Sequence, residues 1–184
     1  MSTLTYIKNF IKDRDVASIT PSSTFLVKRV CRWIDVTVPN VIVEYGPGTG
    51  VFTEYIAAKM TDDSRLILIE SNESFVAELR ERFGSDDRID VYHDRAEHVE
   101  RVLEAAGEQQ ADYVLSGIPF SFLDDDVKHD LIVRTRDILA DDGKFLVYQN
   151  YNHMEKSLRQ HFGRVHKEYE LLNLPPMFAY EAMK

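Results

Sequence analysis

Residues 41–50 read V-I-V-E-Y-G-P-G-T-G, and no other stretch constrains the fold of this chain as tightly. A short β-branched run without a polar break fits a strand buried on both faces. Three glycines at alternate positions then let the backbone turn sharply and approach a ligand without interference from Cβ atoms. A helical pattern follows at once, over 51–60. In a strand–turn–helix unit of this kind the ligand lies beyond the carboxyl end of the strand, against the N-terminus of the helix.

The rest of the chain repeats that alternation. Hydrophobic periodicity predicts further strands at 66–70, 89–92, 113–115, 144–148, 165–172 and 177–182, and helices at 73–83, 96–106, 127–139 and 154–162. The Asp141-Asp142-Gly143 turn is expected between the last long helix and its strand. Ahead of the first strand two helices are predicted. One spans 5–14, with Tyr6, Ile7, Phe10 and Ile11 on its apolar side. The other is opened by Pro21-Ser22-Ser23, with Phe25, Leu26, Val30, Trp33 and Ile34 facing inward. Strands separated by helices imply right-handed crossovers and a mostly parallel sheet. The last two strands have no helix between them and should form an antiparallel hairpin. The expected fold is a seven-stranded α/β sheet with helices on both faces, in a single domain over 1–184. Within it, residues 1–36 form a helical lid or docking segment.

Composition narrows the function. No apolar run approaches the roughly 18–20 residues needed to span a bilayer, and the start of the chain lacks a signal-peptide core. Cys31 is the single cysteine, which excludes an internal disulfide and a thiolate metal cluster and suits a reduced, cytoplasmic setting. The six histidines show no metal-ligand spacing, so no metal is expected. Asp124-Asp125-Asp126 reads as acids opening a helix. The net charge of −9 argues against a general nucleic-acid binder. Within residues 1–34, however, Lys8, Lys12, Arg14, Lys28, Arg29 and Arg32 stand against Asp13 and Asp15. That balance of +4 leaves −13 for the remainder. A basic arm of this kind could meet an anionic surface or simply be a solvated helix face.

A glycine-rich turn alone does not name the ligand. Here the spacing is G-x-G-x-G, and the third glycine of the dinucleotide pattern would fall on Val51. Glu44, two residues before the first glycine, would repel a pyrophosphate and suits a ligand bearing an ammonium and a sulfonium; a capping role is the alternative. Glu70 ends the next strand, where such folds place an acid on ribose hydroxyls, although strand ends often carry acids. Asp94, in V-Y-H-D-R-A, could read an adenine or cap the next helix.

As a set these residues resemble the class I S-adenosylmethionine (SAM) dependent methyltransferases over nearly the whole chain. The resemblance implies a Rossmann-like methyltransferase with S-adenosyl-L-methionine as cofactor. Gly46, Gly48 and Gly50 would cradle its methionine portion, Glu70 would hold the ribose, and Asp94 would lie near the adenine. The expected cofactor-binding set is completed by Ser22, Ser23, Glu44, Ser71, Arg95 and Ser116. The residues after the fourth strand, S-G-I-P-F at 116–120, are expected to face the transferred methyl. Methyltransferases acting on adenine amines carry Asn or Asp before x-Pro-Tyr or x-Pro-Phe there, and this chain lacks that side chain.

Four stretches together resemble a narrower family, the bacterial phospholipid N-methyltransferases that act on phosphatidylethanolamine. They are A-S-I-T-P-S-S at 17–23, E-Y-G-P-G-T-G-V-F-T at 44–53, L-S-G-I-P-F at 115–120 and L-N-L-P-P-M-F-A-Y at 172–180. The same group shades into rRNA adenine dimethylases, which carry a helical domain after the core for which this chain leaves no room. The resemblance implies an amine acceptor, with the N-terminal helices docking at a membrane surface without spanning it. Tyr6, Ile7, Phe10 and Ile11 would enter the acyl boundary while Lys8 and Lys12 meet phosphates; alternatively the helix only covers the cofactor pocket. Ser116, Pro119, Tyr148 and Tyr151 are the candidate catalytic residues, with the Ile118 carbonyl as a further group for positioning the amine. Phe120 and Tyr151 could also attract a methylammonium. An RNA adenine methyltransferase, a small-molecule methyltransferase and a non-catalytic SAM-binding protein remain open.

Overall fold

The computed structural model describes residues 22–184. The helix expected over 5–14, with its membrane-facing residues Tyr6, Ile7, Lys8, Phe10, Ile11 and Lys12, lies outside the described residues. Seven strands follow: β1 (Val41–Tyr45), β2 (Arg65–Glu70), β3 (Ile89–His93), β4 (Ala111–Ser116), β5 (Leu139–Gln149), β6 (Arg164–Glu170) and β7 (Met177–Met183). They form one sheet in the order β3-β2-β1-β4-β5-β7-β6. β1 to β5 are parallel, and β7 runs antiparallel between β5 and β6. Strand order reverses at β1, which pairs with β2 on one side and β4 on the other. A crevice opens at such a reversal, outside the carboxyl ends of the strands.

The helices are α1 (Thr24–Cys31), α2 (Val51–Ala57), α3 (Glu73–Phe83), α4 (Val99–Ala105), α5 (Asp125–Ile138) and α6 (Met154–His161). Alternation along each strand splits the core in two. Ile42, Leu66, Leu68, Leu115 and Leu146 pack against α1, α2 and α3 through Leu26, Phe52, Ile56 and Leu79. Val43, Tyr45, Ile67, Ile69 and Val114 meet α4, α5 and α6 through Val102, Leu131, Ile132 and Leu158 on the other face. Burying each such aliphatic side chain stabilises the fold by about 1.5–3 kcal/mol.

The expected element order holds, with local differences. The Asp141-Asp142-Gly143 turn lies inside β5, not ahead of it. There β4 pairs through Ala111 with Leu139 and next through Tyr113 with Lys144, and the extra residues bulge so that Asp141 and Asp142 stay in water. The helix expected at 96–106 begins as a tight 3-10 turn, Ala96–His98. The helix expected at 127–139 starts at Asp125 and gives way to strand at Leu139.

The rotation of α1 is the larger correction. Ser23 caps it as expected, its hydroxyl accepting from the Leu26 N–H at 3.2 Å. Its buried face is Leu26, Val27, Val30 and Cys31, whereas Phe25 is exposed. Charge sets this rotation. Arg29 donates through Nε to Glu170 and through Nη1 to Glu168, both at 2.6 Å, and Arg32 also pairs with Glu168. Phe25, one turn ahead of Arg29 on the same stripe, is therefore carried to the β6 side and away from the core.

The start of α1 is joined to the opposite end of the chain. The Ser23 N–H donates to Asn173 Oδ1 at 2.8 Å, and Asn173 Nδ2 donates to the Pro175 carbonyl at 2.8 Å. Asn173→Ala should leave both partners without a bond and cost about 1–2 kcal/mol. Urea unfolding would measure that loss, and hydrogen exchange should show the α1 amides opening before those of β1.

Candidate active site

Gly46, Gly48 and Gly50 all adopt left-handed φ angles, at 63°, 56° and 75°. A side chain would strain each of these positions. The turn is tied down from several sides. The Gly46 N–H donates to the Ile69 carbonyl at 2.9 Å, and the Glu54 N–H to that of Gly50 at 2.9 Å, which starts α2. Arg82 of α3 donates to the Thr49 carbonyl and, at 3.0 Å, to Glu54. At Gly50 a Cβ would stand 2.9 Å from side-chain atoms of Leu79 and Phe83, so α3 is packed directly on the turn. Above Gly48 a Cβ would meet nothing within 4 Å. The turn is thus braced from below and open above, which is the shape of a cradle.

Two acids are buried beneath it. Glu70 receives the Gly48 N–H at 3.1 Å on one carboxylate oxygen and the Asn72 N–H at 2.8 Å on the other. Burial raises its pKa, and these backbone donors oppose the rise. Glu44 is shut from water on the α2 side of the sheet, where Thr53 Oγ1 donates to it at 2.7 Å. Burial pushes it up to about 7, the Thr53 bond works against that shift, and the charge of Glu70 adds to it. A cation placed above the turn would relieve both acids.

Asp94 follows β3, its own N–H donating to the Glu70 carbonyl at 3.0 Å. Its carboxylate accepts from the Arg95 N–H at 2.8 Å and His98 Nδ1 at 2.7 Å, and also from Arg101. Burial would raise this carboxyl, but those donors hold it below the usual range. The side chain therefore organises the start of the next helical turn, and its neighbours Ser71 and Arg95 lie beside the same strand ends. Ser71 is exposed, and Arg95 pairs with Glu97.

The loop after β4 is built from both sides. Ser116 is fully buried, and its hydroxyl accepts from the Ile118 N–H at 3.3 Å. The Gly117 N–H donates to the Tyr45 carbonyl at 3.2 Å. A Cβ on Gly117 would sit 2.2 Å from the Tyr148 hydroxyl and 3.5 Å from the Gly46 carbonyl, so that hydroxyl occupies the space a side chain would take. Tyr148 stacks on Phe52 with ring centroids 4.6 Å apart. Its hydroxyl hydrogen-bonds the Ser22 side chain. Burial first, and then the charge of Glu44, drive its pKa far above the usual phenol value. Tyr148 thus keeps its proton.

The structure brings together Ser22, Glu44, the three glycines, Glu70, Ser116 and Tyr148. Pro119 is half-buried at the entry to a 3-10 turn. Tyr151 stands in solvent, 67% exposed, at the rim. Phe120 is corrected: its ring is fully buried against Phe145 and faces the core, because the loop turns inward after Pro119, so it cannot meet a methylammonium.

Gln149 was missed from the sequence. Its buried amide accepts from the Phe120 N–H at 3.1 Å and donates to the Ile118 carbonyl at 2.7 Å. A glutamine at a strand end carries no signal by itself. Only the pairing of β5 with β4 shows that it grips the loop. Gly117 could have been found, since Ser-Gly-x-Pro was already singled out.

A reversed parallel sheet with a glycine cradle and two buried acids at its switch point defines a class I SAM-dependent methyltransferase, an enzyme with S-adenosyl-L-methionine as cofactor. The chain belongs to the family whose model is described as ribosomal RNA adenine dimethylase, which matches residues 6–113. It is 34% identical over 172 residues to an ornithine lipid N-methyltransferase of Singulisphaera acidiphila, an alignment covering 90% of this chain and 86% of that protein. Among solved structures it is similar to the 1,6-didemethyltoxoflavin-N1-methyltransferase of Burkholderia thailandensis, which was solved with bound S-adenosylhomocysteine. That similarity has a TM-score of 0.73 and 17% identity over 99% of this chain and 86% of that one. A precorrin-6y C5,15-methyltransferase of Geobacter metallireducens matches with a TM-score of 0.68 and 13% identity, covering 94% and 95% of the two chains. These two likenesses concern the fold.

Glu44 gives the empty enzyme a characteristic pH dependence. Its folded pKa of about 7 exceeds its ordinary value of 4.5, so folding favours the protonated form. Its contribution is complete below about pH 4.5 and is lost as pH rises through about 7, on the order of 3 kcal/mol. Urea midpoints compared with those of Glu44→Gln should diverge over that window, with the parent losing ground as pH rises. For Gln149→Leu, stability should fall by about 1–3 kcal/mol from the stranded Phe120 N–H. Turnover should drop by roughly tenfold or more with SAM affinity within about twofold, because only the acceptor loop is released. Steady-state kinetics and calorimetry would read the two effects separately.

Proposed function

We infer that the enzyme transfers methyl groups to the amine of a membrane lipid head group. The carrying observation is the acceptor loop at 116–120. It is gripped by Gln149 and lies under Tyr148, and it has Gly117 where adenine amino methyltransferases hold an Asn or Asp, with Ser116 beside it. The similarity to an ornithine lipid N-methyltransferase extends over 90% of the chain and so includes this loop. The span matched by the ribosomal RNA adenine dimethylase model ends at Tyr113, before it.

In this reading the cofactor lies above Gly46, Gly48 and Gly50, with its ammonium and sulfonium toward Glu44 and its ribose hydroxyls on Glu70. Asp94, Ser71 and Arg95 border the adenine, and Ser22, Ser23 and Ser116 close the methionine side. S-adenosyl-L-methionine supplies a methyl carbon made electrophilic by its sulfonium. The protein's part is alignment and desolvation, which supply much of the rate in a displacement of this kind. An amine of this type has a pKa of roughly 10 and must shed a proton before it can attack. Tyr148 cannot take that proton, because burial keeps its own hydroxyl protonated. It holds the amine's surroundings in place instead, its hydroxyl filling the space beside Gly117 and its ring stacked on Phe52. Ser116 fixes the loop through the Ile118 N–H, Pro119 stiffens it, and the Ile118 carbonyl has a second lone pair free for an ammonium N–H. Tyr151 guards the rim, where its ring can meet a methylated head group. Residues 1–184 act as one unit, with 1–36 as a lid that docks from the cytoplasmic side. Among the described residues no helix is long and apolar enough to cross a membrane.

An RNA adenine acceptor is the second reading, favoured by the family description. The net charge of −9 opposes it, since a phosphate backbone is gripped by cations. Incubation with labelled SAM and phosphatidylethanolamine or ornithine-lipid vesicles should place label in lipid. Label in RNA and none in either lipid would overturn the lipid reading.

A further inference from the structure

We propose that the β6–β7 loop, with Leu171, Leu172 and Leu174 at its surface and Phe25 beside it, docks this enzyme on the acyl boundary of a zwitterionic lipid bilayer. The proposal rests on the lipid reading above and adds the surface that makes the contact.

Large apolar side chains exposed on this fold gather at one end. Leu171, Leu172, Leu174 and Phe25 are 68%, 63%, 75% and 53% exposed, and Tyr151 and Tyr169 are open as well. β7 runs antiparallel to β5, so the loop from Glu170 to Met177 lies at the end where β1 and β4 finish. Tyr151 follows β5 and Tyr169 closes β6 at that same end. Val38, just before β1, is the remaining exposed large apolar residue among those described, and it marks the opposite end. An apolar cluster on one side of a soluble domain marks a contact surface.

The loop is suited to an interface with lipid because several of its backbone groups already have partners or lack a donor. Glu170 takes the Leu172 N–H at 2.8 Å while bound to Arg29. The buried Asn173 side chain ties the Ser23 N–H to the Pro175 carbonyl. Pro175 and Pro176 bring no N–H at all. The bonded Leu172 N–H and the two prolines thus reduce the number of backbone donors that would be stranded on leaving water, a loss that is costly in hydrocarbon. The loop is held in shape before it binds.

Charge selects the kind of surface. From Leu171 to Tyr180 the chain carries no charged residue, although 29% of the whole chain is charged. Glu168 and Glu170 occupy the adjacent Arg29 and Arg32. With an overall charge of −9 the protein would be repelled by an anionic leaflet. An uncharged apolar tip fits a bilayer of zwitterionic amine lipids. The loop also leads to the chemistry: Asn173 holds Ser23, and Ser22 bonds Tyr148 above Gly117. Docking here would set the acceptor cleft at head-group height, so that an amine could enter while its acyl chains stay in the bilayer.

The test uses the full chain and a variant with Leu171→Ser, Leu172→Ser and Leu174→Ser. Both are compared on vesicles of phosphatidylcholine and phosphatidylethanolamine, and on a short-chain phosphatidylethanolamine kept monomeric. The variant should need roughly tenfold more vesicle lipid for half-maximal sedimentation and half-maximal methyl transfer. Its rate on the monomeric lipid and its SAM affinity should stay within about twofold. In a separate Leu172→Trp chain, brominated acyl chains should quench the new indole. Unchanged vesicle binding in the triple variant would overturn the proposal. So would a fall in its thermal midpoint with unchanged partitioning, because residues 1–21 would then cover the leucines. A parent dimer that the variant dissolves, again with unchanged partitioning, would make the patch a contact between copies. If the parent methylates neither lipid yet sediments in a leucine-dependent way, the acceptor reading fails and the docking surface stands.

Discussion

Glu70 is a carboxylate shut away from water, and two backbone N–H groups keep it in place, one from Gly48 and one from Asn72. Much of the cofactor end depends on that arrangement. The Gly48 N–H reaches the acid because the turn passes through three left-handed residues in five positions, which a chain of ordinary residues would resist. Once the turn is closed, α2 begins from the Gly50 carbonyl, and α3 packs on the glycine whose missing side chain leaves it room. The Asn72 N–H contributes at the cap of α3, so one carboxylate couples the first and second crossovers. Glu44 adds a second acid with a single hydroxyl donor, and burial leaves it half-titrated near neutrality. Two acids this poorly compensated are a stability cost of the empty site, and a cation above the turn would reverse it.

The acceptor end is held by a different device. Ser22 and Ser23 are about 150 residues from Asn173 in sequence, yet one hydrogen bond joins the entry of α1 to the β6–β7 loop, and another reaches Tyr148. The ion pairs of Arg29 and Arg32 with Glu168 and Glu170 fix the helix in rotation. They also dictate that Phe25 faces out. A single choice of register along α1 thus closes the cleft with one stripe and exposes a ring with the next.

Features that repeat locally were legible in the sequence. Strand and helix periods placed the alternating elements, and the glycine spacing with Glu44 and Glu70 pointed to the left-handed turn and its buried acids, because each needs only neighbours in sequence to be recognised. Phe25 was misjudged because its stripe is chosen by glutamates on β6, which no window around residue 25 contains. Phe120 was misjudged because the loop's inward course depends on Gln149. Gln149 and Gly117 acquire meaning only when β5 lies beside β4 and Tyr148 needs the space. The stretches at 17–23 and 172–180 stood out as family markers, and at Ser23 and Asn173 they meet in a contact that the linear order conceals.

This division also explains why the relatives agree on the cofactor and differ on what is methylated. The glycine turn and its acids come from one contiguous third of the chain, which lies within the residues 6–113 that the ribosomal RNA adenine dimethylase model spans. The proposed acceptor surface draws on Ser22, the loop after β4 and the end of β5, segments outside that turn, and the β6–β7 loop lies beyond them at the surface. In the lipid reading a substitution at Ser116 or Gln149 alters what approaches the methyl group without disturbing Glu70 or the glycines. In the docking proposal a change at Leu171–Leu174 alters where the enzyme works without touching either. Such a scaffold can be carried from a nucleic-acid acceptor to a small molecule or a lipid by changes on one side only. In this chain that side carries a buried serine, a protonated tyrosine and an uncharged apolar loop, chemistry suited to an amine presented at an oily surface.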